Sequence, residues 1–258
     1  MNIKILFNPD NWVMGYFGRE MTKAVAKYNK PDGYNINIYM PYALFKEKDS
    51  NALDIAYFTH NSFDGVFESV AKGVDVCICM SPIYERYLKV IGIKNVHTLI
   101  IPPDEYYDCK LNLAWVGHFF WKERKGIDLF NKVRDLPFVN LIYNQHATDL
   151  DVPVEDVTRI KTYYDRCDFV LVTSKFEGGP MCLVEGLKCG KKVICPMDVG
   201  VAEVFKDGII VYKNSDWESL KYILTNLYEN KKRVADLVKD LTWDNWFEKL
   251  ITIINFYA

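Results

Sequence analysis

The sequence lacks the patterns that mark structural metal sites. Its seven cysteines include no Cys-x-x-Cys pair, and its four histidines are far apart along the chain. Several cysteines lie inside apolar runs, as in Val76-Cys77-Ile78-Cys79, which is typical of reduced thiols in a protein core. We therefore predict reduced cysteines and no metal site.

Long apolar runs are also missing. The first apolar run, Ile5-Leu6-Phe7, is interrupted by Asn8-Pro9-Asp10, whereas a secretory signal needs an apolar stretch of roughly 7–15 residues. The longest uncharged runs are well short of the roughly 18 residues that a membrane span requires. The sequence thus predicts a soluble, cytoplasmic protein without a transmembrane segment.

Neither sign of charge dominates the composition. Lys and Arg number 32 and Asp and Glu 34, so the net charge is -2 and no whole-protein field favours a polyanionic partner. Half of the residues are apolar and 26% are charged, which is typical of a globular protein and not of a disordered chain. At 258 residues the chain exceeds a typical domain of roughly 150, so two domains are expected.

Short runs rich in β-branched and aromatic residues alternate with longer amphipathic stretches. This alternation predicts repeated β-α units and therefore parallel sheets. Ten strands are too many for one ordinary open sheet, so we predict an α/β fold with two doubly wound, Rossmann-like domains. The predicted strands are residues 3–7, 35–40, 54–58, 75–80, 96–101, 111–116, 138–143, 169–173, 192–195 and 208–212.

A proline-rich acidic segment separates the fifth and sixth predicted strands. Pro102-Pro103 forbids helix or central strand, and the following acidic residues favour solvent. We place the domain boundary there, with an N-terminal domain at 1–108 and a C-terminal domain at 109–240. The remaining segment, 241–258, has the apolar periodicity of a helix that begins after a possible Thr242 cap.

Familiar phosphate-binding motifs do not fit. The segment Gly186–Lys192 has three residues between its glycines where a Walker loop has four, and Gly15-Tyr16-Phe17-Gly18 lacks the Gly-x-Gly-x-x-Gly spacing of dinucleotide binders. We predict no nicotinamide cofactor, and no cofactor of another kind. Gly15 and Gly18 lie between the first predicted strand and the helix that follows it. They either allow a ligand to approach the backbone or form an ordinary turn.

The most informative segment follows the predicted strand 169–173. It carries Glu177 in a loop, a Gly178-Gly179 turn, Pro180 in the first turn of a helix, and Glu185 within that helix. Glu185 is flanked by apolar residues, where a carboxylate is costly without a partner. That partner is either a pair of sugar hydroxyls or an Arg side chain.

The pattern Ser174…Glu177-Gly178-Gly179-Pro180…Glu185, followed by Gly190-Lys191-Lys192-Val193-Ile194 and Gly200-Val201-Ala202-Glu203, resembles the retaining glycosyltransferases of GT-B architecture, most closely family 4. In that family the two glutamates are eight residues apart. The departures are Lys192 in place of the usual Pro and one Gly, not two, before Val201. The similarity is strong over 111–215 and thin over 1–100, and the first domain is short for the family.

The resemblance implies a role for each residue of the second domain that matches the family. Glu177 would orient the donor sugar with the turn formed by Gly178, Gly179, Pro180 and Met181, and Glu185 would bind the ribose diol. Lys125 would neutralise the donor's diphosphate. The ordinary alternatives are a solvated lysine for Lys125, a plain loop carboxylate for Glu177 and an ion pair for Glu185.

Two histidines extend the resemblance. His118 stands where the family has an Arg that holds the diphosphate, and because His titrates near pH 6.5 it is a conditional cation where Arg is a permanent one. Arg124 or Lys122 in the same loop could take over that role. His60 resembles a strand-end histidine near the donor sugar, although a histidine at a strand end is often a core residue. The terminal helix resembles one that crosses back onto the first domain.

The sequence therefore predicts a glycosyltransferase that moves a hexosyl or other glycosyl group from a nucleotide-sugar donor with retention and without a bound metal. The catalytic residues would be Glu177, His60 and Lys125. The acceptor is left open among glycan, lipid, protein and modified nucleobase, as is the oligomeric state. The alternatives are a nucleotide-sugar epimerase of the same fold and an inactive nucleotide-sugar-binding protein, for which His118 and the short first domain are the motivation.

Overall fold

The computed structural model describes residues 1–30, 32–61, 64–103, 108–117, 123–143 and 157–258. By its contacts the chain divides into two compact units. The first unit comprises Met1–Tyr107 and Val238–Ala258, and the second comprises Asp108–Leu237.

Every predicted strand overlaps a strand of the structure, and within the described ranges each unit has one five-stranded parallel sheet. The order of the first sheet is β1-β2-β3-β4-β5 and that of the second is β10-β9-β8-β6-β7. The strands are β1 (Asn2–Phe7), β2 (Asn35–Met40), β3 (Ala52–Phe58), β4 (Val76–Cys79), β5 (Val96–Thr98), β6 (Leu111–Trp115), β7 (Val139–Tyr143), β8 (Phe169–Leu171), β9 (Lys192–Pro196) and β10 (Ile209–Tyr212).

Four of the described helices begin after a residue whose side chain caps free N–H groups. Asn11 accepts a hydrogen bond from Met14, Ser81 from Ile83, Asp216 from Glu218 and Ser219, and Thr242 from Asn245, as predicted for Thr242. The described helices are α1 (Trp12–Val25), α2 (Val66–Gly73), α3 (Pro82–Val90), α4 (Ile127–Arg134), α5 (Val157–Arg166), α6 (Met181–Lys188), α7 (Trp217–Ala235) and α8 (Trp243–Tyr257).

In the first unit, helices cover both faces of the sheet because successive strand residues point to opposite sides. Ile55 and Tyr57 of β3 pack in one core with α1 and α8, whereas Phe58 packs in a second core with α2 and α3. Trp246 and Phe247 of α8 are part of the first of these cores. The first unit is therefore a three-layer, doubly wound α/β structure.

The second unit has the same layered construction. Leu113 and Trp115 of β6 pack with α4 and α7 on one face, and Ala114 packs with α5 and α6 on the other. All seven cysteines are free, and four of them are buried. The α/β fold with two Rossmann-like units is thus confirmed.

The structure changes the interpretation of Gly15 and Gly18. Helix α1 begins at Trp12, so these two buried glycines lie inside it and not in a loop. A Cβ atom on Gly15 would come within 2.6 Å of the Pro9 carbonyl oxygen, and one on Gly18 within 2.1 Å of the Phe7 ring. The close approach that they permit is therefore between α1 and its own preceding segment. Their predicted contact with a substrate stays a prediction.

No helix within the described ranges combines the length and apolar character that a membrane crossing requires.

Candidate functional site

The candidate site of the second unit lies where the segment before α4 meets the segment after β8. The Lys175 N–H donates to the Arg124 carbonyl oxygen (2.7 Å), and the Thr173 hydroxyl donates to that of Lys125 (2.7 Å). The Trp115 indole N–H, from the end of β6, donates to the Thr173 hydroxyl oxygen (3.0 Å). Backbone and side-chain bonds thus fix the two segments against each other at the carboxyl edge of the sheet.

Gly126 makes this close approach possible. Its φ is +67°, and a Cβ atom built on it would stand 2.0 Å from the Thr173 carbonyl oxygen. A side chain here would be disfavoured by the left-handed backbone and excluded by lack of space. Glycine at 126 is therefore what allows Lys125 to lie beside the β8–α6 loop.

Glu177 forms ion pairs with two cationic side chains of the site. Its Oε1 accepts a hydrogen bond from Lys125 Nζ, and its Oε2 lies 3.3 Å from Arg124 Nη1. The Glu177 side chain is 12% exposed and that of Lys125 20%, so neither is the solvated surface residue that the ordinary alternatives described. The structure thus brings together three of the predicted site residues, Arg124, Lys125 and Glu177.

The environment of Glu177 shifts its pKa in opposing directions. Burial raises the pKa, whereas the Lys125 hydrogen bond, the charges of Lys125 and Arg124, and a Ser174 hydrogen bond lower it. The attractive contacts prevail, and the pKa lies below its usual value. Glu177 is therefore a carboxylate at neutral pH.

This shift predicts an acid-dependent loss of stability. Because the folded-state pKa is below the unfolded one, the contribution of Glu177 is complete above the unfolded pKa and disappears as the pH falls through the folded value. We expect the free-energy gap between wild type and Glu177→Gln to be constant from about pH 6 to 8 and to close below about pH 4. Urea denaturation at each pH measures it, and a gap that is still full at about pH 3 would contradict the shift.

The glycine turn that follows Glu177 is held from the side of β9. The Gly200 N–H donates to the Glu177 carbonyl oxygen (3.2 Å), and the Val201 N–H donates to that of Gly178 (3.1 Å). Among the described residues, the N–H groups of Gly178 and Gly179 have no hydrogen-bond acceptor. A Cβ on Gly178 would meet nothing within 4 Å, so its backbone is open to an approaching group.

The predicted helix of this segment starts one residue later than expected. Pro180 is the residue before the first turn of α6, with φ at -65°, and exposed Met181 is the first helical residue. Two unpaired glycine N–H groups just before a helix N-terminus form a small electropositive recess. Such a recess suits an anion or the oxygen atoms of a sugar.

Glu185 lies in α6, as predicted, but its partner was not foreseen. The Tyr164 hydroxyl of α5 donates to Glu185 Oε2 (2.6 Å), so within the described structure the pairing with an Arg side chain is not present. Burial raises the pKa of the Cys182 thiol to about 12, the Lys125 charge lowers it, and the charges of Glu185 and Glu177 raise it. Both glutamates and Lys125 therefore lie within electrostatic reach of the half-buried Cys182 thiol.

The remaining predicted residues lie elsewhere. His60 belongs to the first unit, at the carboxyl end of β3, where it is exposed and its Nδ1 is 2.8 Å from the Thr59 hydroxyl oxygen. It is therefore not the buried core histidine of the ordinary alternative. His118 and Lys122 lie outside the described residues, so the choice between His118 and Arg124 as the diphosphate ligand stays a prediction.

Two further residues that hold the site in place, Tyr164 and Asn214, were not predicted from the sequence. Tyr164 has no motif around it, and its contact with Glu185 arises because α5 and α6 pack on the same face of the sheet. Asn214 Nδ2 donates to the Lys175 carbonyl oxygen (2.9 Å) and to Asp198 (3.0 Å), which fixes the loop that carries Glu177. Only the polar character of 213–216 after a strand could have pointed to it.

Within the described ranges, no group of three or more His, Cys, Asp or Glu side chains is arranged to hold a metal ion.

Part of the candidate site lies in a segment that matches a known family model. Residues 152–241 match the family model described as "Glycosyl transferases group 1". Glu177, the glycine turn and Glu185 all lie inside this match, and Arg124 and Lys125 precede it. The matched segment thus contains both of the predicted glutamates.

One curated relative is the "Uncharacterized glycosyltransferase MJ1178" of Methanocaldococcus jannaschii, which is 24% identical over 226 residues. The alignment covers 76% of this chain, and the chain spans 63% of the relative's length.

Two solved structures are similar at low TM-scores. Sucrose-phosphate synthase from Thermosynechococcus elongatus has a TM-score of 0.38 at 15% identity, with 95% of this chain and 78% of that chain covered. Anabaena Alr3699/HepE in complex with UDP-glucose has a TM-score of 0.33 at 12% identity, with 91% and 81% covered.

Proposed function

We propose that the protein is a retaining glycosyltransferase that moves a sugar from a nucleotide-sugar donor to an acceptor. The observation that carries this proposal is the pairing of Glu177 with Lys125 and Arg124 beside an unpaired glycine turn. The family match over residues 152–241 supports the same class of reaction. Retention of configuration is what the sequence resemblance implies.

In this proposal the donor's diphosphate displaces Glu177 from the two cations of the site. In the structure Lys125 and Arg124 bind Glu177. When the donor binds, its diphosphate forms ion pairs with both cations instead, because a doubly charged phosphate competes well for them. Glu177 is thereby released to accept hydrogen bonds from the donor sugar. The Gly178 and Gly179 N–H groups donate to the same ligand, and Glu185 accepts from the ribose diol.

Charge on the departing diphosphate would be balanced by protein cations. Lys125 and Arg124 stabilise negative charge as it develops on the leaving group, which is where fixed charge lowers a barrier most. We propose no covalent nucleophile, and the leaving phosphate itself assists deprotonation of the acceptor. The first unit is assigned to the acceptor side, with exposed His60 as its catalytic residue.

Because the cations belong to the protein, we expect turnover to survive removal of divalent metal. Transfer should be unchanged after dialysis against a chelator and should not rise when manganese is restored. Lys125→Ala should instead remove most of the activity under both conditions. A requirement for added manganese in the wild type would overturn the account of the leaving group.

The proposal is tested by a thermal-shift screen of nucleotide sugars, followed by incubation of the best donor with and without acceptors. Glycosylated acceptor together with released nucleoside diphosphate is the expected result. An isomeric nucleotide sugar formed from donor alone would identify an epimerase. Binding of a donor without transfer to glycan, lipid, protein or nucleobase acceptors would identify a binding protein.

Glu185→Ala should weaken nucleotide binding by about 1–3 kcal/mol, since the ribose diol loses a charged acceptor. Calorimetry with the nucleoside diphosphate of the best donor measures this effect. Glu229→Ala, which removes an exposed carboxylate of α7 in the same unit, is the matched control and should bind normally. Unchanged affinity together with a collapsed melting temperature would make Glu185 a structural residue only.

A further inference from the structure

The second glutamate of the site is held by a buried tyrosine. Tyr164 of α5 is 2% exposed, and its hydroxyl donates to Glu185 Oε2 over 2.6 Å. Among the described residues the other carboxylate oxygen, Oε1, has no hydrogen-bond donor. One oxygen of Glu185 is thus fixed, and the other is left for a further donor.

The two glutamates of the site are held in different ways. Glu177 is bound by two cations, whereas Glu185 is bound by a neutral hydroxyl group. Burial raises the pKa of Tyr164, and the Glu185 hydrogen bond raises it further, so the hydroxyl stays protonated and acts only as a donor here. A neutral donor orients a carboxylate without cancelling its charge, and a charged acceptor makes the stronger hydrogen bonds.

We propose that Tyr164 is a positioning residue that orients Glu185 so that Oε1 accepts from the ribose diol of the donor. This inference depends on the proposed function, because it takes the ribose as the ligand of Glu185. Tyr164 itself does not touch the donor. Its effect is on selectivity, since a carboxylate fixed in one orientation discriminates a ribose with both hydroxyls from a sugar without them.

The test measures nucleotide selectivity in four proteins and one control variant. Calorimetry with UDP, ADP and GDP, and with the 2′,3′-dideoxy form of whichever binds best, gives the ratio of ribose to dideoxyribose affinity. The proteins are wild type, Tyr164→Phe, Glu185→Ala and the double variant. Tyr212→Phe is the matched control, because it also removes a buried hydroxyl of the same unit, one that donates to the Val172 carbonyl oxygen (3.0 Å).

We expect Tyr164→Phe to reduce the ribose preference about three- to tenfold, which is the size of one lost hydrogen bond acting on Glu185. Glu185→Ala should remove the preference, and adding Tyr164→Phe to it should change nothing further, because the hydroxyl acts only through the carboxylate. Tyr212→Phe should lower the melting temperature while keeping the wild-type ratio.

The outcomes separate the inference from the function on which it depends. If wild type binds none of the three nucleotides, or if Glu185→Ala keeps the ribose preference, the ribose assignment itself is wrong. If Glu185→Ala loses the preference while folded Tyr164→Phe keeps the full wild-type ratio, only the positioning role is overturned. A further loss in the double variant relative to Glu185→Ala would also overturn it.

Discussion

Replacing Gly126 with alanine is expected to destabilise the second unit by about 3 kcal/mol or more, the largest stability effect that we predict for a single methyl group. The added Cβ would stand 2.0 Å from the Thr173 carbonyl oxygen, which belongs to backbone that the Thr173 side chain also ties to Trp115 and Lys125. Neither segment can give way without breaking those bonds. The positive φ of +67° adds its own cost.

The variant Gly190→Ala allows the effect of the positive φ to be measured separately from the effect of the steric clash. Its φ is +75°, but a Cβ on it would meet nothing within 4 Å. Gly190→Ala should therefore show the backbone cost alone, about 1 kcal/mol. Urea denaturation of both variants gives the difference, and equal losses would mean that the Gly126 contact relaxes without penalty. Gly126→Ala that folds should also lose nucleotide affinity, because Lys125 moves with the loop.

Much of the fold could be predicted because buried strands have a recognisable sequence pattern. Parallel strands covered on both faces read as continuous apolar runs, and each of the ten predicted strands overlaps an observed one. The predicted strand 169–173 ends earlier, at Leu171, and the Thr173 hydroxyl donates to the Lys125 carbonyl oxygen before α4. A hydrogen bond between segments so far apart in the chain has no local signal in the sequence.

The wrong loop at Gly15 and Gly18 has a different cause. The Asn11 side chain caps α1 by accepting from Met14, so the helix begins before the two glycines. The glycines are required by the packing of α1 on Phe7 and Pro9, which is a contact between residues that only the folded chain brings together.

The sequence predicts which residues belong to the candidate site better than it predicts the hydrogen bonds and ion pairs between them. The glutamates and Lys125 were identified by their similarity to a family pattern. The ion pair between Lys125 and Glu177 spans 52 positions of sequence, and the Tyr164 bond to Glu185 depends on two helices sharing one face of the sheet. Such pairings follow from topology, which spacing alone does not give.

Glu177→Gln is expected to lower turnover about 100-fold while changing nucleotide-sugar affinity less than about threefold. Glutamine keeps the shape of the side chain and removes its charge. In the proposed reaction the sugar becomes electron-poor as the diphosphate leaves, so a carboxylate stabilises the transition state more than the bound donor. Removing the same charge also frees Lys125 and Arg124 for the diphosphate, which compensates for hydrogen bonds lost to the sugar.

Release of nucleoside diphosphate from the donor identified by screening measures the rate, and calorimetry measures the affinity. Glu123→Gln is the matched control, because Glu123 is an exposed carboxylate beside Arg124 and should keep normal turnover. A fall in affinity as large as the fall in rate would show that Glu177 binds the ground state and the transition state equally. In that case its role would be donor binding, and the charge that drives departure of the diphosphate would have to come from Lys125 and Arg124 alone.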